Sequence, residues 1–172
     1  MPDTFTSMPT YLPTFCRVND YDNDSFPDIL FGDYDGNLFI YEQQQTGGTF
    51  TLSWADTTGL LDTGEFLTDG DYDGDGKQEF IVGYHRSLSP NADGEYDAPY
   101  WHFKMFKASG NDSFGMIWEQ KFFGVKDEFY YDSGVCSGDI DNDGKDEFLV
   151  SIYPNLYVFG RKASTGTFEP VW

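Results

Sequence analysis

NDYDNDSFPDILFG (residues 19–32), GDYDGDGKQEFIVG (70–83) and GDIDNDGKDEFLVS (138–151) align without a gap, and each copy brings four acids into register. These are Asp20, Asp22, Asp24 and Asp28; Asp71, Asp73, Asp75 and Glu79; and Asp139, Asp141, Asp143 and Glu147, at positions 1, 3, 5 and 9 of a loop. Aspartate is depleted from strands, and so many acids in one turn repel one another unless a cation neutralises them. Alternating carboxylates at positions 1, 3 and 5 turn toward one centre. The backbone carbonyl of position 7 (Phe26, Lys77 or Lys145) adds an oxygen, and the acid at position 9 closes the shell. About six to eight hard oxygens suit calcium, whereas magnesium demands stricter octahedral geometry and keeps more water. The pattern therefore reads as three calcium sites. An EF-hand is excluded, because its bidentate glutamate at position 12 is replaced by Phe31, Val82 and Val150. Position 6, where the chain turns sharply, holds Gly76 and Gly144 but Ser25 in the first loop. A side chain in left-handed geometry costs about 1 kcal/mol, so on backbone grounds the first site is expected to bind more weakly.

The repeat extends beyond the acids. Each loop runs into an apolar triplet (Ile29, Leu30, Phe31; Phe80, Ile81, Val82; Phe148, Leu149, Val150) that reads as a buried strand. A second strand follows as NLFIY at 37–41, YWHFKMF at 100–106 and NLYVF at 155–159. A third carries Phe50 with Trp54, Phe114 with Trp118, and Phe168 with Trp172. Residues four apart in a strand share a face, so each Phe and Trp is expected to enter one packed core layer. Ahead of each loop lies another short extended segment: LPTFCRV, GEFLT and FYYDSGVCS. Successive loops begin 51 and 68 residues apart. Four short strands per unit without any helical periodicity make an all-β pattern of propeller blades, while β-solenoid coils are usually shorter. The expected organisation is three four-stranded antiparallel blades over residues 10–57, 58–124 and 125–172. The middle unit carries an insertion, Arg86 to Pro99, rich in Pro, Asn, Asp and Gly, which reads as a long surface loop.

GDYDGDGKQEFIVG and GDIDNDGKDEFLV resemble the FG-GAP, or VCBS-type, repeats of integrin α-subunit propellers and many secreted microbial proteins. The departures are Ser25 and Pro27 in the first loop, and Asp33, Tyr84 and Ile152 where the family has a Gly-Ala-Pro segment. The resemblance implies that each acidic loop joins the first and second strands of a blade and binds calcium. It also implies a propeller of about seven blades, and three cannot close a ring. The remaining blades then belong to a longer polypeptide, or neighbouring subunits cover the open faces. The implied role is a non-enzymatic, extracellular or cell-surface scaffold for adhesion or recognition of a protein or carbohydrate ligand. Two alternatives stand beside it: a structural subunit of a surface appendage or secreted assembly, and the propeller part of a secreted hydrolase or lyase.

Composition narrows the partners. Thirty acidic and ten basic side chains give a formal charge of -20 over 172 residues. Such a chain repels nucleic acid and anionic membranes, and three calcium ions would bring it only to -14. No run approaches the roughly 20 apolar residues of a membrane span, and the N-terminus lacks the features of a signal peptide. Cys16 and Cys136 are too few for a disulfide framework or a zinc site. No nucleophile or phosphate-binding motif is present, so His85 and His102 are expected at strand ends or facing solvent. Tyr96, Tyr100, Trp101, Tyr130 and Tyr131 lie near expected loops, where rings could stack on sugars or partner side chains, and packing within the blades explains them equally well. Asn91, Asp93, Glu95 and Asp97 alternate within the insertion and read as a solvated loop, with a further cation site as the alternative. Asn111-Asp112-Ser113 fits an N-glycosylation acceptor in a turn.

Overall fold

The apolar triplets behind the acidic loops become the second strand of three sheets. The structure, a computed structural model, describes residues 16–33, 36–57, 66–86, 100–123, 134–152 and 154–172. Within them the first sheet is β1 (Cys16–Asn19), β2 (Asp28–Gly32), β3 (Asn37–Gln43) and β4 (Phe50–Thr57). The second is β5 (Phe66–Gly70), β6 (Glu79–Arg86), β7 (Tyr100–Gly110) and β8 (Ser113–Phe123). The third is β9 (Gly134–Gly138), β10 (Glu147–Ile152), β11 (Asn155–Arg161) and β12 (Phe168–Pro170). Each is a four-stranded antiparallel meander with its strands side by side in chain order. The described residues are all-β, with no helix. The Arg86 to Pro99 insertion beyond its first residue lies outside them, as do Tyr96, Tyr130 and Tyr131.

The sheets pack face to face through two apolar clusters. Tyr21, Leu30, Leu38 and Ile40 of the first sheet meet Leu67, Phe80, Val82 and Phe106 of the second. Tyr72, Ile81, Phe103 and Met105 of the second meet Phe148, Val150 and Phe159 of the third. Period-2 alternation explains both: on β6, Ile81 looks toward the third sheet while Phe80 and Val82 look toward the first. The first strands are also tied laterally. Asp69 of β5 accepts hydrogen bonds from Asn19 Nδ2 at 3.2 Å and Tyr21 OH at 3.1 Å. Ser137 Oγ of β9 donates to the Asp69 carbonyl at 2.6 Å.

The Phe-x-x-x-Trp pairs correct the expectation of a shared face. In β8, Met105 pairs with Trp118 but Phe106 pairs with Met116, so Ile117 is an extra residue. In β4, Ile40 pairs with Trp54 and Tyr41 with Leu52, leaving Ser53 extra. One added residue inverts the alternation. Trp118 therefore looks forward onto Phe148 and Phe159 at 5.0 and 5.3 Å, while Phe114 looks back onto Trp54 at 5.3 Å. Trp54 and Trp118 each make edge-on contacts between neighbouring sheets.

Three further expectations are decided. Trp172 is 81% exposed rather than in a core, because among the described residues no sheet lies on its side. Of the two readings of Trp101, blade packing holds: it is completely buried within β7, so its ring is core and cannot stack on a ligand. His102 is neither at a strand end nor solvated: it is buried in β7, with Nε2 2.7 Å from Glu119 Oε2. Burial holds its imidazole below the usual range, against the pull of Glu119. His85 lies on β6, its side chain outside the described set. Tyr100 is half-buried against Phe123, and Cys16 and Cys136 are free and exposed.

Sheet packing therefore rests on forward-facing tryptophans. Trp118→Ala is expected to lower stability by about 3–5 kcal/mol in urea denaturation, and Trp172→Ala to change it by about 0.5 kcal/mol or less. Equal losses would contradict this one-way packing.

Candidate metal centres

The three loops connect β1 to β2, β5 to β6 and β9 to β10, and they fold by the same hydrogen bonds. The carboxylate at position 9 accepts the N–H of position 2: Tyr21 to Asp28 at 2.9 Å, Tyr72 to Glu79 at 3.0 Å and Ile140 to Glu147 at 2.9 Å. The carboxylate at position 1 accepts the N–H groups of positions 5 and 6, as in Asp24 and Ser25 onto Asp20 at 3.1 and 2.9 Å. The N–H groups of position 7 (Phe26, Lys77 and Lys145) donate to the acid two residues back at 2.8, 3.0 and 2.9 Å.

Two residues per loop take left-handed backbone. Position 6 is as expected, with Ser25, Gly76 and Gly144 at φ 78°, 85° and 87°. Position 4 adds Asn23, Gly74 and Asn142 at 64°, 76° and 62°. Asn and Gly are the residues that tolerate this conformation, so the aligned loops carry a signal for it at position 4.

Carboxylate oxygens converge where positions 1, 3 and 9 meet. The clusters are Asp20, Asp22 and Asp28; Asp71, Asp73 and Glu79; and Asp139, Asp141 and Glu147, each with ligand atoms within 4.8 Å of one another. Position 5 behaves differently in each loop. Asp24 joins a second cluster with Asp22 and Glu42. Asp75 and Asp143 are drawn instead to lysines, Lys107 Nζ at 2.8 Å and Lys145 Nζ at 2.8 Å. The acids at position 9 are buried in all three loops, with Asp28, Glu79 and Glu147 at 1, 0 and 8% exposure, and Asp22 joins them in the first.

The sheets also differ at one strand position that the loop alignment misses. Asp28 pairs with Glu42 across β2 and β3. Continuing the registers of the other sheets places Lys107 beside Glu79 and Gly160 beside Glu147. The Lys107 ammonium sits 2.7 Å from Asp73, 2.8 Å from Asp75 and 2.9 Å from Glu79, an internal cation among the acids of its loop. Burial pulls that ammonium down, but the three carboxylates outweigh it and hold it above the usual lysine range. Glu42 does the reverse, adding a buried negative charge to the first loop. Burial first, and then Asp112, Asp24 and Asp28, push it up to about 7. Asp28 is likewise pushed to about 7 by burial and by Asp22, Asp20 and Asp24. These hard oxygen donors, crowded and partly desolvated, suit a divalent cation.

The FG-GAP-like repeat family matches residues 20–82, from the first acid of the first loop to the core of β6. That stretch is similar to an FG-GAP-like repeat. Its match spans the first two acidic loops, and the third follows the same geometry. No curated protein matches the chain. Among solved structures, a rhamnogalacturonan lyase PL11 of Bacillus licheniformis is similar at 14% identity and a TM-score of 0.32. The likeness covers 91% of this chain and 50% of that one, so the chain spans about half the length of that enzyme. No helix among the described residues is long and apolar enough to cross a membrane.

Two predictions follow from the loop chemistry. Asp28 and Glu42 bind protons more readily folded than unfolded, so their contribution to metal-free stability is full below about pH 4 and lost as pH rises through about 7. In chelator, the melting temperature is expected to fall from pH 5 to 8, and Asp28→Asn is expected to flatten the slope. A Cβ on Gly144 or Gly138 meets nothing within 4 Å, but only Gly144 has positive φ. Gly144→Ala is expected to cost about 1–2 kcal/mol in denaturant titration and Gly138→Ala about 0.5 kcal/mol or less.

Proposed function

We propose that this chain is a calcium-stabilised run of β-propeller blades that serves outside the cell as a non-enzymatic recognition scaffold. The observation that carries the reading is a surface repeated three times and covered twice. Tyr21, Leu30, Leu38, Ile40 and Trp54 face the second sheet. Their counterparts Tyr72, Ile81, Phe103, Met105 and Trp118 face the third. The same five positions in the third sheet, Ile140, Leu149, Leu156, Val158 and Trp172, line an open groove. Ile140 and Leu156 are 54% and 47% exposed there. That face matches what a further sheet of the same kind covers elsewhere in the chain, and head-to-tail stacking of this type closes into rings when the rotation allows.

In this reading the three loops hold calcium through the acids at positions 1, 3, 5 and 9 and a carbonyl at position 7. The metal supplies charge neutralisation and rigidity and performs no chemistry on a substrate. FG-GAP-like repeats are typical of extracellular proteins, and largely exposed loops of this kind suit the high calcium outside cells. Ligand recognition, of a protein or a carbohydrate, then falls to surfaces that the pinned loops hold in place. The open face of the third sheet also supports a second reading, a subunit whose neighbours are further copies in a surface assembly.

Calcium at about a hundred times its dissociation constant is expected to stabilise the chain by about 2.7 kcal/mol per site, read as a rise in melting temperature that chelator reverses. In analytical ultracentrifugation with calcium, the chain is expected to associate as concentration rises, and Trp172→Glu to keep it monomeric. A wild-type chain that stays monomeric at all concentrations would overturn the uncovered-face argument.

A further inference from the structure

The first sheet gathers carboxylates that its own loop does not need. Glu42, from the middle of the sheet, is 2% exposed, and its Oε1 has no hydrogen-bond partner. It points into a cluster with Asp22 and Asp24. A second orphan lies alongside. Asp112, in the hairpin between β7 and β8 of the neighbouring sheet, donates its N–H to Asp22 Oδ2 at 2.7 Å, and its own buried Oδ1 is unpartnered. Buried carboxylate oxygens without partners are rare, because desolvation is costly unless something replaces water.

The second sheet shows what belongs at this position. Lys107 occupies the strand position of Glu42, and its ammonium meets Asp73 and Asp75, the counterparts of Asp22 and Asp24. One sheet thus carries a covalently attached cation where the other carries an extra anion among the same acids. The arrangement in the first sheet is complete only with a cation from solution.

We propose that Asp22, Asp24 and Glu42, closed by Asp112 of the adjacent sheet, hold a divalent cation of their own, beside the loop site of Asp20, Asp22 and Asp28. The ion bridges the first and second sheets, a joint that Lys107 makes unnecessary within the second loop. The backbone argument from Ser25 is then outweighed: the first loop is the strongest cation-binding region of the chain, and the second, already neutralised by Lys107, is the weakest. The proposal rests on the calcium reading of the loops, with calcium as the probe ion.

Equilibrium dialysis with calcium separates the two ideas. Glu42→Gln is expected to bind one ion fewer per chain than wild type. Asp112→Asn, altered only at a turn, is expected to weaken the tightest site by about tenfold. In chelator, Glu42→Gln and Glu42→Lys are expected to melt higher than wild type, since each removes repulsion, while gaining less from calcium. A residue that only filled space would instead lose stability in both conditions. Calcium bound by the loops with unchanged stoichiometry in Glu42→Gln and unchanged affinity in Asp112→Asn overturns the bridging site and leaves the loop sites standing. A wild-type chain that binds no calcium overturns both.

Discussion

A carboxylate buried at the root of a core strand is the constraint on which the rest of the fold depends. Asp28, Glu79 and Glu147 each sit at the first residue of the strand whose following side chains pack the sheets together. Each accepts one backbone N–H from its loop, which orients it but does not discharge it. Neutralisation and core packing are therefore neighbours along the chain: Phe80 and Phe148 stand one residue beyond an acid whose charge must be met. Loop and core are therefore coupled, and a cation held by the loop would act on the packing of the sheets without lying in their interior.

The three sheets share a backbone and differ in electrostatics. Lys107 answers the acids of the second loop from within the chain. Lys145 meets only one acid of the third, while Glu42 deepens the charge of the first. A repeat that is nearly regular in shape thus has unequal demands for an outside cation. The carboxylates of the first loop are also the most enclosed, with Asp22, Asp28 and Glu42 all buried.

Much of this was legible in the sequence for a physical reason: the acidic loop is a local motif whose acids, turn and following strand occupy fixed offsets. The strand behind each loop follows from that, and so does the gathering of its acids, although of the expected positions 1, 3, 5 and 9 only 1, 3 and 9 meet in all three loops. What stayed hidden depends on pairing across strands. The spacing of Phe114 and Trp118 suggests a shared face, and only the register of β7 against β8 reveals the extra residue that parts them. Glu42, Lys107 and Gly160 are plain in the sequence, but they become equivalent only once β3, β7 and β11 are aligned through their neighbours. His102 reads in sequence as an exposed polar residue because a buried histidine needs a partner, and Glu119 comes from the next strand.

The bulge that parts phenylalanine from tryptophan has a wider consequence. It gives the first and second sheets a front and a back with different shapes, so a stack of them has direction, as a chain of hooks and eyes does. Any duplicated copy of the unit inherits both halves of the joint and can be inserted or appended without a new interface having to arise. Two sheets cannot meet front to front with the same fit. The growth of such an array by gene duplication is thereby confined to a single orientation.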